Sequence, residues 1–79
     1  MQTLNDLKIG DNARIAALPE DPVFAARLLS FGLAPGEGIR CLLAAPGRSP
    51  RAYAVRGTTL VLRNRDAAYI SCQISRGLV

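Results

Sequence analysis

Apolar and polar positions alternate along this chain in short runs, each closed by glycine or proline. Over residues 38–44, Ile39, Cys41 and Leu43 fall on one side, and Arg40, Leu42 and Ala44 fall on the other. A period of two predicts a strand with one buried face. The same pattern predicts strands over 13–18, with Ile15 inward, and over 69–74, with Ile70, Cys72 and Ile74 inward. Strands over 52–56 and 59–63 read as a hairpin turning at Gly57-Thr58. One segment changes period. Phe24, Leu28 and Phe31 recur at i, i+4 and i+7, which makes a single apolar stripe on a helix. Asp21 offers a carboxylate to the free N–H groups of that helix, and Pro22 costs nothing at its first position. Gly32 suits the left-handed stop, with Leu33 folding back on the last turn after about ten helical residues.

Turn chemistry fills the gaps. Thr3 caps one helical turn in which Leu4 and Leu7 share a face, and Gly10 permits a reversal over 8–11. Pro35-Gly36 fits the centre of a type II turn, and 46–50 is a loop. Asn64 caps a second short helical turn over 65–68. About five short strands with one main helix must curl to cover their apolar face, which predicts a mainly β fold, a small SH3-like barrel. Residues 1–75 form a single domain and 76–79 a loose tail. A chain of 79 residues buries roughly 60–65% of its unfolded surface, enough for one core.

Composition narrows the function. The chain carries a net charge of +4, unevenly spread. Residues 1–37 hold three basic and five acidic side chains, a balance of −2, whereas residues 38–79 hold seven arginines against Asp66, a balance of +6. Such asymmetry suits an acidic partner, an anionic membrane surface or nucleic acid, or simply keeps a small domain soluble. No apolar run approaches the ~20 residues of a membrane helix. The first residues lack the basic-then-apolar pattern of a secretory signal, so the expected location is cytoplasmic.

Catalytic chemistry is hard to assemble here. The chain has no histidine, which removes Ser-His-Asp and Cys-His nucleophiles. It has no Gly-x-x-x-x-Gly-Lys-Ser/Thr phosphate loop. Cys41 and Cys72 lie 31 positions apart, outside a Cys-x-x-Cys spacing, and read as reduced, partly buried thiols rather than a disulfide or a metal site. The acids fall in turns and at helix starts, where caps are needed. No enzyme activity, cofactor or resident metal is expected, although a weak carboxylate site at a surface turn is compatible with the sequence.

With these elements placed, the chain resembles the FeoA family, small cytoplasmic accessory proteins of bacterial ferrous-iron uptake. The likeness runs from Leu4 to about Ile74. It is carried by Leu7, Gly10-Asp11, Arg27-Leu28, Gly32-Leu33, Pro35-Gly36, Ala45-Pro46, Pro50, Gly57, Leu60, Leu62-Arg63 and Ala67, in that order. Where the family often has Gly-Asp-Pro after the Ala-Pro, Gly47-Arg48-Ser49-Pro50 stands here, without the acid. The resemblance implies an SH3-like fold, similar to domains of metal-dependent repressors. It also implies a partner, the membrane ferrous-iron transporter FeoB, on whose cytoplasmic part the protein docks as an adaptor.

The candidate contacts follow from exposure. Arg40, Arg56 and Arg63 point outward on the expected strands, and Arg48 and Arg51 lie in or beside the 46–50 loop. Arg27 either meets the partner or ties down carbonyls of a neighbouring turn, and Leu29 is either a docking residue or a second core contact. These seven residues are the expected partner surface, with anionic lipid headgroups as a peripheral target. Nucleic-acid binding is the alternative from another class. It lacks support, because Tyr53 is expected inward and Tyr69 is the only candidate stacking platform. A metal-responsive regulatory module is the other alternative, motivated by the repressor-like fold.

Overall fold

A computed structural model describes residues 2–75. Six antiparallel strands form one sheet: β1 (Gln2–Thr3), β2 (Asn12–Ala17), β3 (Gly38–Ala44), β4 (Arg51–Val55), β5 (Thr58–Leu62) and β6 (Ser71–Ser75). Their order across the sheet is β1-β6-β2-β3-β4-β5. The helices are α1 (Pro22–Ser30) and the single turn α2 (Asn64–Ala67), with 3-10 turns at Leu4–Asp6 and Pro46–Arg48. The sequence predicts five strands. The sixth, β1, is two residues long and is paired with β6 at Gln2–Cys72 and Thr3–Ser71, too short for any periodicity to show. The tail expected over 76–79 lies outside the described residues.

Local chemistry accounts for α1. Asp21 Oδ1 accepts from the Val23 N–H at 3.0 Å, and Pro22 follows at the first position, a cap that contributes about 1 kcal/mol. At the other end Gly32 adopts φ +93°, where a side chain is strained and an added Cβ would sit 3.0 Å from Arg56 Cδ. The Leu33 N–H donates to Leu28 O and the Gly32 N–H to Leu29 O, the paired bonds of a Schellman stop. This stop turns Leu33 into the core. It leaves Phe31, expected in the buried stripe, 51% exposed.

Two further expectations shift with register. Leu43, read as inward, is 58% exposed. A bulge between Cys41 and Leu43 breaks the alternation, since Cys41 pairs Tyr53 while Leu43 pairs Ala52. The hairpin turns at Arg56-Gly57, not Gly57-Thr58, with φ +51° and +76°. Both central residues are left-handed, as a two-residue type I′ loop requires. The resulting Val55–Thr58 pairing places Leu60 and Leu62 toward the core, and a one-residue slip would invert that face. Asn64 does not cap α2. It is the helix's first residue, and its N–H donates to Ser49 Oγ at 3.2 Å.

The sheet curls around Leu4, Leu7, Ile15, Leu28, Leu33, Tyr53, Val55 and Ile70, all essentially inaccessible. Its edges, β1 and β5, form no ladder with each other. A side chain spans part of the gap. Arg51 Nη1 donates to Leu7 O at 2.6 Å and Arg51 Nη2 to Leu4 O at 2.7 Å, joining β4 to the N-terminal turn. Arg51, read from the sequence as an exposed contact residue, is 3% exposed. It belongs to the interior, because a strand pairing with β3 and β5 on both sides points alternate residues into the core.

Candidate docking groove

Four of the expected turn acids have defined jobs. Asp6 accepts from the Thr3 N–H at 2.9 Å, Asp11 from the Lys8 N–H at 2.8 Å, and Asp21 caps α1. Glu37 pairs with Arg56 at 2.9 Å, so that arginine, although exposed in the hairpin turn, is engaged. Arg40 on β3 and Arg48 in the 46–50 loop are exposed and lie apart from the concavities described below. Leu29 is 51% exposed, which rules out the core-contact reading.

Arg27 and Arg63 are brought together. They line a groove of about 570 Å³ between α1 and the β5–α2 segment. Its apolar lining includes Val23, Phe31 and Val61, and Arg65 joins the two arginines. Among the described residues none of these three guanidiniums forms a hydrogen bond or ion pair, so Arg27 does not tie down a turn. A second concavity of about 580 Å³ is lined by Glu20, Tyr69 and Leu18. Phe24, Asp21 and Asp66 are shared between the two. Arg27, Arg63 and Arg65 thus line the first concavity alone, Glu20 the second alone, and Asp21 and Asp66 both.

Reading by residue missed Phe31, Val61 and Arg65. Phe31 follows the helical stripe and reads as core. Val61 carries a weak signal, the outward position of an alternating strand. Arg65 faces the groove only because α2 turns the chain back beside β5.

Reactive groups lie elsewhere. Cys41 and Cys72 are buried free thiols, and among the described residues no three Cys, Asp or Glu side chains converge as a metal cage. Burial pushes the Cys72 thiol above its ordinary 9.0, and the Asp6 carboxylate adds to the rise. Burial likewise lifts the Tyr53 hydroxyl above 10.0, against the pull of the Arg51 cation. Both groups fold in their neutral forms. The unfolded chain therefore gives up these protons first as pH climbs, so their contribution is whole below the unfolded pKa and is lost above it. The urea midpoint is expected to start falling at about pH 9, and Cys72→Ala should remove the earlier part of the decline. A midpoint that holds steady to about pH 10.5 contradicts this.

No described helix is long and apolar enough to cross a membrane. The chain is 34% identical over 71 residues to the Fe(2+) transport protein A/Fe(2+) transporter FeoB fusion protein of Porphyromonas gingivalis, covering 90% of this chain and 8% of that polypeptide. Its fold matches the FeoA protein of Chlorobium tepidum at a TM-score of 0.89 and 29% identity, over 99% of this chain and 74% of the other. It also matches Stenotrophomonas maltophilia FeoA, described as a procaryotic SH3 domain protein, at 0.80 and 24% identity, over 96% and 98% of the two chains. That likeness is one of fold and assigns the curled sheet to the SH3-like class. The FeoA domain family matches residues 2–74, nearly the whole of what is described, and this chain belongs to that family.

Proposed function

We propose that this protein is a non-enzymatic adaptor of ferrous-iron uptake that docks on the cytoplasmic part of a FeoB-type transporter and regulates or assembles it. One observation carries the reading: a relative joins a FeoA segment and a FeoB transporter in one polypeptide. Fusion fixes two partners at high effective concentration, and separate chains must then supply that proximity by affinity.

The groove supplies the chemistry for such affinity. Apolar side chains give buried area, and unpaired guanidiniums at the rim recognise carboxylates by two-pronged hydrogen bonds. Arg27 and Arg63 are its central contacts. Leu29, Arg40, Arg48 and Arg56 are secondary, since they lie outside it. The test is calorimetric titration of the protein against the full-length cognate transporter in nanodiscs, paired with ferrous-iron uptake in cells lacking the protein. Saturable binding and reduced uptake are expected. No binding heat together with unchanged uptake overturns the reading.

A further inference from the structure

β5 is an edge strand with no guard. It pairs with β4 alone, in a register that runs without a bulge from Arg51–Leu62 to Val55–Thr58. Its five residues, Thr58–Leu62, contain neither proline nor charge, the devices by which natural sheets blunt a free edge. The opposite edge, β1, is only two residues long and offers little to pair with.

The hairpin decides which backbone groups are free. A two-residue type I′ loop closes on a hydrogen-bonded pair, here Val55 and Thr58. Bonded and non-bonded pairs then alternate, so Leu60 and Leu62 direct their N–H and C=O groups to β4. Thr59 and Val61 direct theirs away from the sheet, with Val61 itself 59% exposed. Val61 borders the groove faced by α1, with Thr59 just beyond its lining, and among the described residues Arg27, Arg63 and Arg65 stand there without ion-pair partners.

Building on the transporter reading, we propose that β5 accepts an extended, carboxylate-bearing strand from the transporter's cytoplasmic part. That strand adds to the sheet through Thr59 and Val61 and meets the three arginines. Main-chain bonds supply the affinity in this mode, and side-chain pockets supply the specificity. A second copy of this chain suits the edge poorly. Antiparallel self-pairing centred on Leu60 would set Arg63 of each copy beside the Arg56-Gly57 turn of the other, a like-charge encounter.

Hydrogen exchange of the protein with and without the full-length transporter in nanodiscs, resolved to single amides, tests this. The Thr59 and Val61 amides are expected to slow at least tenfold on binding, with Leu60 and Leu62 already slow in the free protein. Val61→Pro deletes one outward donor without touching the β4 ladder and should weaken binding at least tenfold. If that variant melts early, Thr59→Lys with Val61→Lys guards the edge in a soluble way and should weaken binding equally. Arg63→Glu should weaken it at low salt and less at high salt. A complex that leaves the β5 amides unprotected overturns strand addition and leaves the transporter reading standing. No complex with the unaltered protein overturns the transporter reading itself. Protection that grows with protein concentration alone replaces the acidic strand by a second copy and overturns the proposed occupant.

Discussion

Replacing Arg51 with methionine is expected to cost about 3–5 kcal/mol, because two buried carbonyl oxygens lose charged donors at once. The side chain is 3% exposed, and its terminal nitrogens hold Leu4 O and Leu7 O at 2.7 and 2.6 Å. Methionine keeps most of the apolar stem, so the loss isolates the two hydrogen bonds from packing. The guanidinium also stands 5.7 Å from the Tyr53 ring centre, a cation–π distance that adds to the loss. A domain of 79 residues has roughly 4–12 kcal/mol of total stability, so the variant should melt about 12–40 °C lower. Arg51→Lys should fall between, since a single ammonium cannot reproduce a fork that meets two carbonyls. The observation carrying this expectation is that β1 and β5 share no ladder, leaving Arg51 to join β4 to the N-terminal turn. A methionine variant as stable as the parent shows that the curled sheet holds without this tie.

Leu33→Ala is expected to cost about 2–5 kcal/mol, the range for a fully buried leucine whose cavity only partly collapses. Leu33 is inaccessible and is held at the C-terminus of α1 by its own N–H bond to Leu28 O, so the site has little freedom to relax. Phe31→Ala, two residues away and a larger truncation, should cost about 1 kcal/mol or less, since its ring lies half in solvent. The order reverses for binding. Phe31 lines the groove, so its removal should weaken transporter affinity about tenfold, whereas Leu33 does not line it. Chemical denaturation and calorimetric titration of both variants check the pair. A Phe31 variant less stable than the Leu33 variant contradicts the observed end of α1.

Much of the fold is legible where the deciding chemistry is local. Asp21, Pro22 and Gly32 bracket α1 because capping, a fixed φ and a left-handed stop act within one turn. Ile15, Ile39, Cys41 and Cys72 appear as inward positions because a pleated strand alternates whatever lies beyond it. The same rule fails at Leu43, where the bulge depends on how Tyr53 and Ala52 pair across the sheet. It fails by one residue at the hairpin, because a non-glycine residue, Arg56, occupies a left-handed position that propensity disfavours.

The candidate surface is less legible than the fold. Exposed arginines look alike in a sequence. Their partners are distant: Arg51 reaches carbonyls 44 and 47 positions earlier, and Arg56 pairs with an acid 19 positions earlier. Neither contact leaves a mark in the spacing. Of the four candidate arginines left after those two are committed, Arg40 and Arg48 lie apart, and only Arg27 and Arg63 meet, joined by Arg65 across the groove.

The order of residues alone settled the mainly β class, the one main helix and its ends, the turn positions other than that of the β4–β5 hairpin, the scarcity of reactive groups and the family. Each of these rests on short-range sterics, on backbone hydrogen bonding or on the residues present. Tertiary structure decided which arginine is interior, which strand is left with a free edge and which side chains meet in the groove. Those are outcomes of a curled sheet bringing distant segments together, and only the closed path of the chain fixes where they meet.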